Sequence, residues 1–159
     1  MAEEIEHKYL VHLGLWRPAD AGTPYRQGYL TQGKERVVRV RIAGDSAFLT
    51  IKGATNGISR LEFEYPIPLD DATEMLDRLC HRPLIEKTRH REMWEGRMWE
   101  IDVFHGDNAG LVIAEVEVAD ANDHVVLPAW VGTEVSDDPR YFNNNLGAHP
   151  YSTWGDTAG

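Results

Sequence analysis

Along most of this chain, charged residues recur at every second position and arrive mainly in like-signed pairs. Glu4 and Glu6 precede Lys8, and Arg39 pairs with Arg41. Glu62 pairs with Glu64, Lys87 with Arg89, Glu100 with Asp102, and Glu115 with Glu117. The positions between them are largely apolar: Ile5 and Tyr9, Val38, Val40 and Ile42, Leu61, Phe63 and Tyr65, Trp99, Ile101 and Val103, Ala114, Val116 and Val118. A period of two puts each set on one face of a strand. A half-exposed strand also alternates, with its charges in water. Like charges two residues apart, however, repel unless an opposite charge lies between them. A divalent cation relieves paired carboxylates, and an anionic ligand relieves paired cations.

The alternation falls within eight strand-like runs, at 4–11, 25–32, 35–43, 46–52, 58–67, 84–92, 98–105 and 111–118. Short turn signals separate several of them: Gly44-Asp45, Asn56-Gly57 and Gly96. Short separators favour antiparallel neighbours. One helix is predicted over 70–82, capped by Asp70 or Asp71, with Met75, Leu76, Leu79 and Cys80 at helical spacing and Pro83 closing it. A shorter helix is expected at 120–126, ending near Pro128, and a turn or two at 139–146. Eight strands with few helices point to a mainly β fold, an eight-stranded antiparallel barrel whose closure removes the sheet edges. A β-sandwich is the competing architecture. A barrel with its charges inside needs covering helices or a partner on its apolar outside, and segment 70–82 is the candidate cover.

The 159 residues suit one domain, 1–159. The formal net charge of −10 argues against binding a nucleic acid backbone. The single cysteine, Cys80, excludes an intramolecular disulfide and a four-cysteine zinc site. The N-terminus reads as no secretory signal, and no apolar run approaches a membrane span, so a cytoplasmic protein is expected. An interior of this kind is costly to dehydrate when empty, and makes sense as a wet tunnel for a highly charged ligand and a metal. Carboxylate oxygens suit Mg²⁺ or Mn²⁺, and Arg and Lys suit phosphate oxygens.

The same residues resemble a known family. Glu4-Ile5-Glu6-His7-Lys8 is similar to the N-terminal Glu-x-Glu-x-Lys signature of the CYTH proteins, also called triphosphate tunnel metalloenzymes. Further matching segments follow in order: 26–30, 38–41, 49–52, 59–65, 86–89, 100–104, 115–118 and 132–143. The loop at 12–24 is the least similar part. The resemblance implies an eight-stranded tunnel barrel acting on triphosphates with Mg²⁺ or Mn²⁺, inorganic tripolyphosphate first, and often a homodimer. It implies Glu4, Glu6, Glu115 and Glu117 as metal ligands. Lys8, Arg39, Arg41, Lys52, Lys87, Arg89 and Arg140 are implied as substrate-binding cations, and Glu62, Glu64 and Asp102 as supporting acids. Tyr29 is implied as a tunnel tyrosine acting with a neighbouring lysine, so that Glu4, Glu6, Lys8, Tyr29 and Lys52 form the catalytic set.

The expected reaction is in-line attack of a metal-activated water on a terminal phosphoryl group, catalysed by positioning and electrostatics. Its rivals are a class IV adenylyl cyclase, a thiamine or nucleoside triphosphatase, and a non-catalytic binder of polyphosphate or nucleotide. His7 falls on the apolar face and reads as packed or exposed. Trp94 and Trp130 are candidates for a tunnel rim, and Asn143-Asn144-Asn145 reads as a helix or turn cap.

Overall fold

A computed structural model describes residues 3–33 and 35–154. The predicted runs all form strands: β1 (Glu3–Val11), β2 (Thr23–Tyr29), β3 (Arg36–Ala43), β4 (Ser46–Gly53), β5 (Ser59–Pro66), β6 (Ile85–Trp94), β7 (Arg97–Phe104) and β8 (Val112–Glu117). Antiparallel pairing runs β5-β4-β3-β2-β6-β7-β8-β1, and β1 closes the ring on β5 through Glu3↔Leu61, Glu4↔Arg60 and Ile5↔Ser59. This is the eight-stranded closed barrel, not the sandwich. A ninth strand, β9 (Val131–Glu134), was not expected from the sequence; it pairs with the second half of β1.

The turns obey their residues. Asn56 and Ser59 exchange backbone hydrogen bonds of 2.7 and 3.0 Å, and Gly57 takes φ +64° between them. Gly28 answers to a different demand, since a Cβ there would stand 2.7 Å from Leu84 and 2.8 Å from Cys80. The barrel wall thus touches the segment that follows the helix.

That helix, α1 (Leu69–Arg78), is shorter than predicted. Pro68 occupies the cap position, and Asp70 and Asp71 sit in the first turn without capping it. There they suit the positive end of the helix dipole. Leu79 and Cys80 lie beyond the last turn, because the chain swings back to the barrel, where His81 N donates to Tyr29 O at 2.9 Å. Buried Ala72 and Leu76 of α1 cover the outer face of β3 and β4 at Val40 and Ala47. The segment 120–126 is a turn, not a helix. The Asp123 carboxylate accepts from Ala119 N and Asp120 N, and the Asp120 carboxylate from Asn122 N, so side chains satisfy the backbone in its place. The tail forms a 3₁₀ turn (Pro139–Tyr141) and α2 (Asn143–Ala148), as expected.

A second outer core joins Tyr9, Trp16, Trp99 and Val116, with Val125 and Trp130 packed on it. The third core lies inside the barrel at one end. Ile85, Phe104 and Ile113 continue the inward faces of Lys87, Asp102 and Glu115, and Leu146 of α2 closes over them. The charged interior therefore ends on an apolar floor. Among the described residues no helix is long and apolar enough to cross a membrane.

Candidate active site

Strand order converts the sequence pattern into two opposed walls. β3, β2 and β6 are neighbours, and they carry Arg39, Arg41, Lys87 and Arg89 inward. β8, β1 and β5 are neighbours on the other side, and they carry Glu115, Glu117, Glu4, Glu6, Glu62 and Glu64. β4 joins the two walls on one flank and supplies Lys52 and Thr50; β7 joins them on the other and supplies Glu100 and Asp102. The walls enclose a cavity of about 290 Å³, and its exposed lining residues Arg91 and Glu117 mark a mouth at the end away from the apolar floor. Tyr29 and Val37 line its inner end.

On the cationic wall, Asp102 is fully buried and anchors two cations from below. Arg89 donates to it through Nε at 2.7 Å and Nη2 at 2.8 Å, and Lys87 Nζ donates at 2.7 Å. Burial opposes its charge, yet Arg89 and Lys87 hold its carboxyl well below the usual range. Lys87 is pushed down to about 7 by burial, and Arg89 and Arg41 beside it act in the same direction against Asp102. Arg41 is the unbalanced cation of the wall. Its Nε donates to Gln27 Oε1 at 2.9 Å, and among the described residues it forms no ion pair with a carboxylate. Burial, then Arg39 and Arg89, pull it down to about 10. Arg39 reaches Thr50 Oγ1 at 3.1 Å and Glu64 at 3.4 Å, while its buried Nε finds no hydrogen-bond acceptor. Unmatched guanidinium donors around one space are what a polyanion with several oxygens can satisfy.

Lys8 and Lys52 stand among the carboxylates. Lys8 Nζ lies 2.9 Å from Glu115 and 3.3 Å from Glu6. Burial works against its charge, but Glu115 and Glu6 more than offset this and push it up. Lys52 Nζ lies 3.1 Å from Glu4 and 3.3 Å from Glu62. It is lowered by burial and by Arg39. The carboxylates crowd one another. Glu6 is pushed up to about 7 by burial and by Glu115, and Glu4 is raised by burial and its hydrogen bond with Glu62. Glu117, nearer the mouth, is raised by burial, Glu4 and Glu100.

Among the described residues no three carboxylate, imidazole or thiol side chains are already gathered as a ready metal cage. Glu115 and Glu4 pair instead with Lys8 and Lys52. The donor set nonetheless fits a hard divalent cation: every candidate is a carboxylate oxygen, and burial with Glu115 beside it pushes the Glu6 carboxyl up, which a bound cation would relieve.

Of the residues singled out in the sequence, Glu4, Glu6, Lys8, Tyr29, Arg39, Arg41, Lys52, Glu62, Glu64, Lys87, Arg89, Glu115 and Glu117 all line the one cavity. Asp102 lies behind it as a support. Arg140 does not join them. It forks onto Asp138 at 2.7 to 3.1 Å and stacks over Trp154 and Tyr141 on the outside, because Asp138 two residues away captures it. Trp130 packs edge-on against Trp99 in an outer core, and neither it nor Trp94 lines the cavity. His7 is packed on the outer face, with Nδ1 2.8 Å from Glu134.

Contributors not assigned to the site from the sequence include Gln27, Tyr25 and Asn143. Gln27 joins Arg41 to Tyr29, donating to its hydroxyl at 3.1 Å. It sits two residues from both Tyr25 and Tyr29, so the period of two that found the charges points to it as well. Tyr25 lies under the guanidinium groups of Arg41 and Arg89, 4.9 Å from each. Asn143, read as a cap, accepts from Lys87 at 2.8 Å. It enters from α2, outside the barrel strands, and no strand periodicity announces it.

Comparison with known proteins agrees with this arrangement. The sequence profile of the CYTH domain matches residues 2–144. The inorganic triphosphatase of Acetivibrio thermocellus is 47% identical over 154 residues, spanning 97% of this chain and 99% of that protein. The inorganic triphosphatase of Nitrosomonas europaea is 37% identical over 147 residues, spanning 90% of this chain and 95% of that protein. A solved inorganic triphosphatase structure superposes with a TM-score of 0.65 at 33% identity, over 91% of this chain and 97% of that one. A putative adenylate cyclase from Bacillus halodurans shares the fold alone, with a TM-score of 0.58 at 16% identity over 76% of this chain and 84% of that one. The matched profile spans nearly the whole barrel and both of its charged walls, and the chain belongs to the CYTH domain family.

Proposed function

We propose that this protein hydrolyses inorganic triphosphate to diphosphate and phosphate within the barrel, with Mg²⁺ or Mn²⁺ as its metal. The observation that carries the reading is the guanidinium of Arg41, held inside the barrel beside Arg39 and Arg89 with no carboxylate paired to it among the described residues, opposite a crowded wall of glutamates. A chain of phosphates supplies the missing negative charge, and a metal-dependent family supplies the cation that the glutamates lack. The two relatives named as inorganic triphosphatases support this choice of substrate.

In this reading Arg39, Arg41, Lys87 and Arg89 bind the outer oxygens of the phosphate chain. Asp102 and Asn143 fix Lys87 so that its ammonium meets the substrate without rearranging. Tyr29, with its hydroxyl held by Gln27, orients the end of the substrate nearest the floor. A water beside Glu6 attacks the terminal phosphorus in line, and the bridging P–O bond breaks. The proton of the water passes to a carboxylate, and Lys8 or Lys52, both set among the carboxylates, offsets the charge on the departing oxygen. Glu4, Glu6, Glu115 and Glu117 are the residues that would hold the metal, which when bound lowers the pKa of water and neutralises phosphate charge. Glu62 and Glu64 keep Lys52 and Arg39 in place.

The test is a panel of tripolyphosphate, ATP, thiamine triphosphate and pyrophosphate, each with Mg²⁺, Mn²⁺ or a chelator. Release of phosphate from tripolyphosphate above the other substrates, abolished by chelator, is expected. Cyclic AMP from ATP, or no release from any triphosphate, refutes the reading.

A further inference from the structure

The barrel is not sealed along the whole of β1. Its edge pairs with β5 as far as Ile5↔Ser59, and Glu6 N still reaches Ile58 O at 3.2 Å. Two residues later the same edge has changed partner, and Lys8 O accepts from Val135 N at 2.8 Å. Between the β4–β5 turn and the segment after β9 there is a seam. Beside it lies a second cavity of about 340 Å³, walled by Thr55 and Gly57 on one side and Pro139 and Asn145 on the other, with Val37, Arg60 and Asn144 shared with the main cavity. A throat of about 20 Å³ is lined by Thr55, Ile58, Arg60, Ser136 and Phe142 and by Glu4, Glu6 and Lys8. Lys8 Nζ lies 6.0 Å from the centre of the Phe142 ring, so this ring stands at the inner end of the passage.

The size of the throat decides what it can carry. A water needs roughly 10–15 Å³ of such space, so one water fits and a phosphate group does not. Its inner end is lined by the polar groups a single water requires, the Glu6 carboxyl and the Lys8 ammonium. Hydrolysis consumes one water per turnover, while a bound triphosphate obstructs the main mouth. We propose that the seam is a water inlet: the nucleophilic water reaches Glu6 and Lys8 from the side, through the throat between Thr55 and Phe142, while substrate enters and products leave by the main mouth. This rests on the triphosphatase reading and adds a route to it.

Two variants and an alternative nucleophile test the route. Methanol in place of water gives methyl phosphate and diphosphate, so the ratio of methyl phosphate to phosphate reports which nucleophile arrives. That ratio is independent of how much enzyme is folded. An extra methyl group in a fitted passage is discriminated by roughly tenfold or more. Phe142→Ala widens the throat, and the methyl phosphate share is expected to rise about fivefold over wild type. Thr55→Trp, at an exposed turn position, plugs the outer end. It is expected to lower kcat about tenfold while leaving KM for tripolyphosphate and the affinity for a non-hydrolysable imidotriphosphate unchanged. Thr55→Ala serves as the control with wild-type kcat. An unchanged product ratio in Phe142→Ala, or wild-type kcat in Thr55→Trp, overturns the inlet and leaves the triphosphatase reading intact. Failure of the wild-type protein to release phosphate from tripolyphosphate overturns both.

Discussion

Replacing Asp102 with asparagine keeps the shape of the side chain and removes the charge that two cations share. Asp102 is fully buried, and its oxygens lie 2.7 to 2.8 Å from the nitrogens of Arg89 and Lys87. Arg89 retains Glu100 at 3.3 Å, a weaker and less buried contact, while among the described residues Lys87 retains no carboxylate at ion-pair distance. Removing one member of a buried ion pair typically destabilises by about 3–5 kcal/mol. At roughly 2–4 °C per kcal/mol for a chain of this size, the melting temperature should fall by about 6–20 °C. A polyanion in the cavity replaces part of the lost charge. Tripolyphosphate should therefore raise the melting temperature of Asp102→Asn by more than it raises that of wild type. Thermal melts followed by circular dichroism, with and without tripolyphosphate and without metal, give both numbers. A variant melting within about 2 °C of wild type, or one stabilised less than wild type by the polyanion, would refute the claim that Asp102 balances a cationic wall built for an anion.

Three further outcomes follow from the same charge layout. Arg41→Gln removes a cation with no carboxylate partner, so the ligand-free protein should melt at or above the wild-type temperature while KM for tripolyphosphate rises about tenfold or more; a lower melting temperature with unchanged KM contradicts this. Lys87 has a folded-state pKa near 7 against an ordinary 10.5, so it is charged below about 7 and loses its charge as pH rises. Accordingly kcat/KM should decline above about pH 7, and Lys87→Gln should be slower and lack that decline. Because the unfolded chain binds the extra proton between those values, Lys87 also makes the ligand-free protein more stable as pH rises from 7 toward 10.5, an increment that melts of Lys87→Gln should lack. Arg140→Ala should keep kcat and KM within about twofold of wild type, since its side chain is held outside the cavity by Asp138; a large rise in KM would place it in the substrate site after all.

The wall residues were readable from the sequence because a strand has a period of two. Arg39 and Arg41, or Glu115 and Glu117, can share a face only one way once the run is extended. Charge pairing then indicated that those faces look at one another. What the sequence withheld depended on contacts between distant segments. Leu79 and Cys80 continue a helical period, yet the helix stops before them because His81 must reach Tyr29. Asp120 and Asp123 have helix-compatible neighbours, but their carboxylates capture the backbone first. β9 is four residues long and exists because β1 changes edge partner halfway. Asn143 reaches Lys87 only because α2 caps the barrel floor. Arg140 matched its family segment by position, while a neighbour in the chain decided where its side chain went.

The central claim is that a cationic wall and a carboxylate wall in one barrel together cleave a triphosphate. The most direct measurement is phosphate release from tripolyphosphate by wild type and by Glu6→Ala at the same Mg²⁺ or Mn²⁺ concentration. Chelator-sensitive release by wild type, reduced about hundredfold or more in Glu6→Ala, is the predicted result. Near-wild-type release by Glu6→Ala would contradict it.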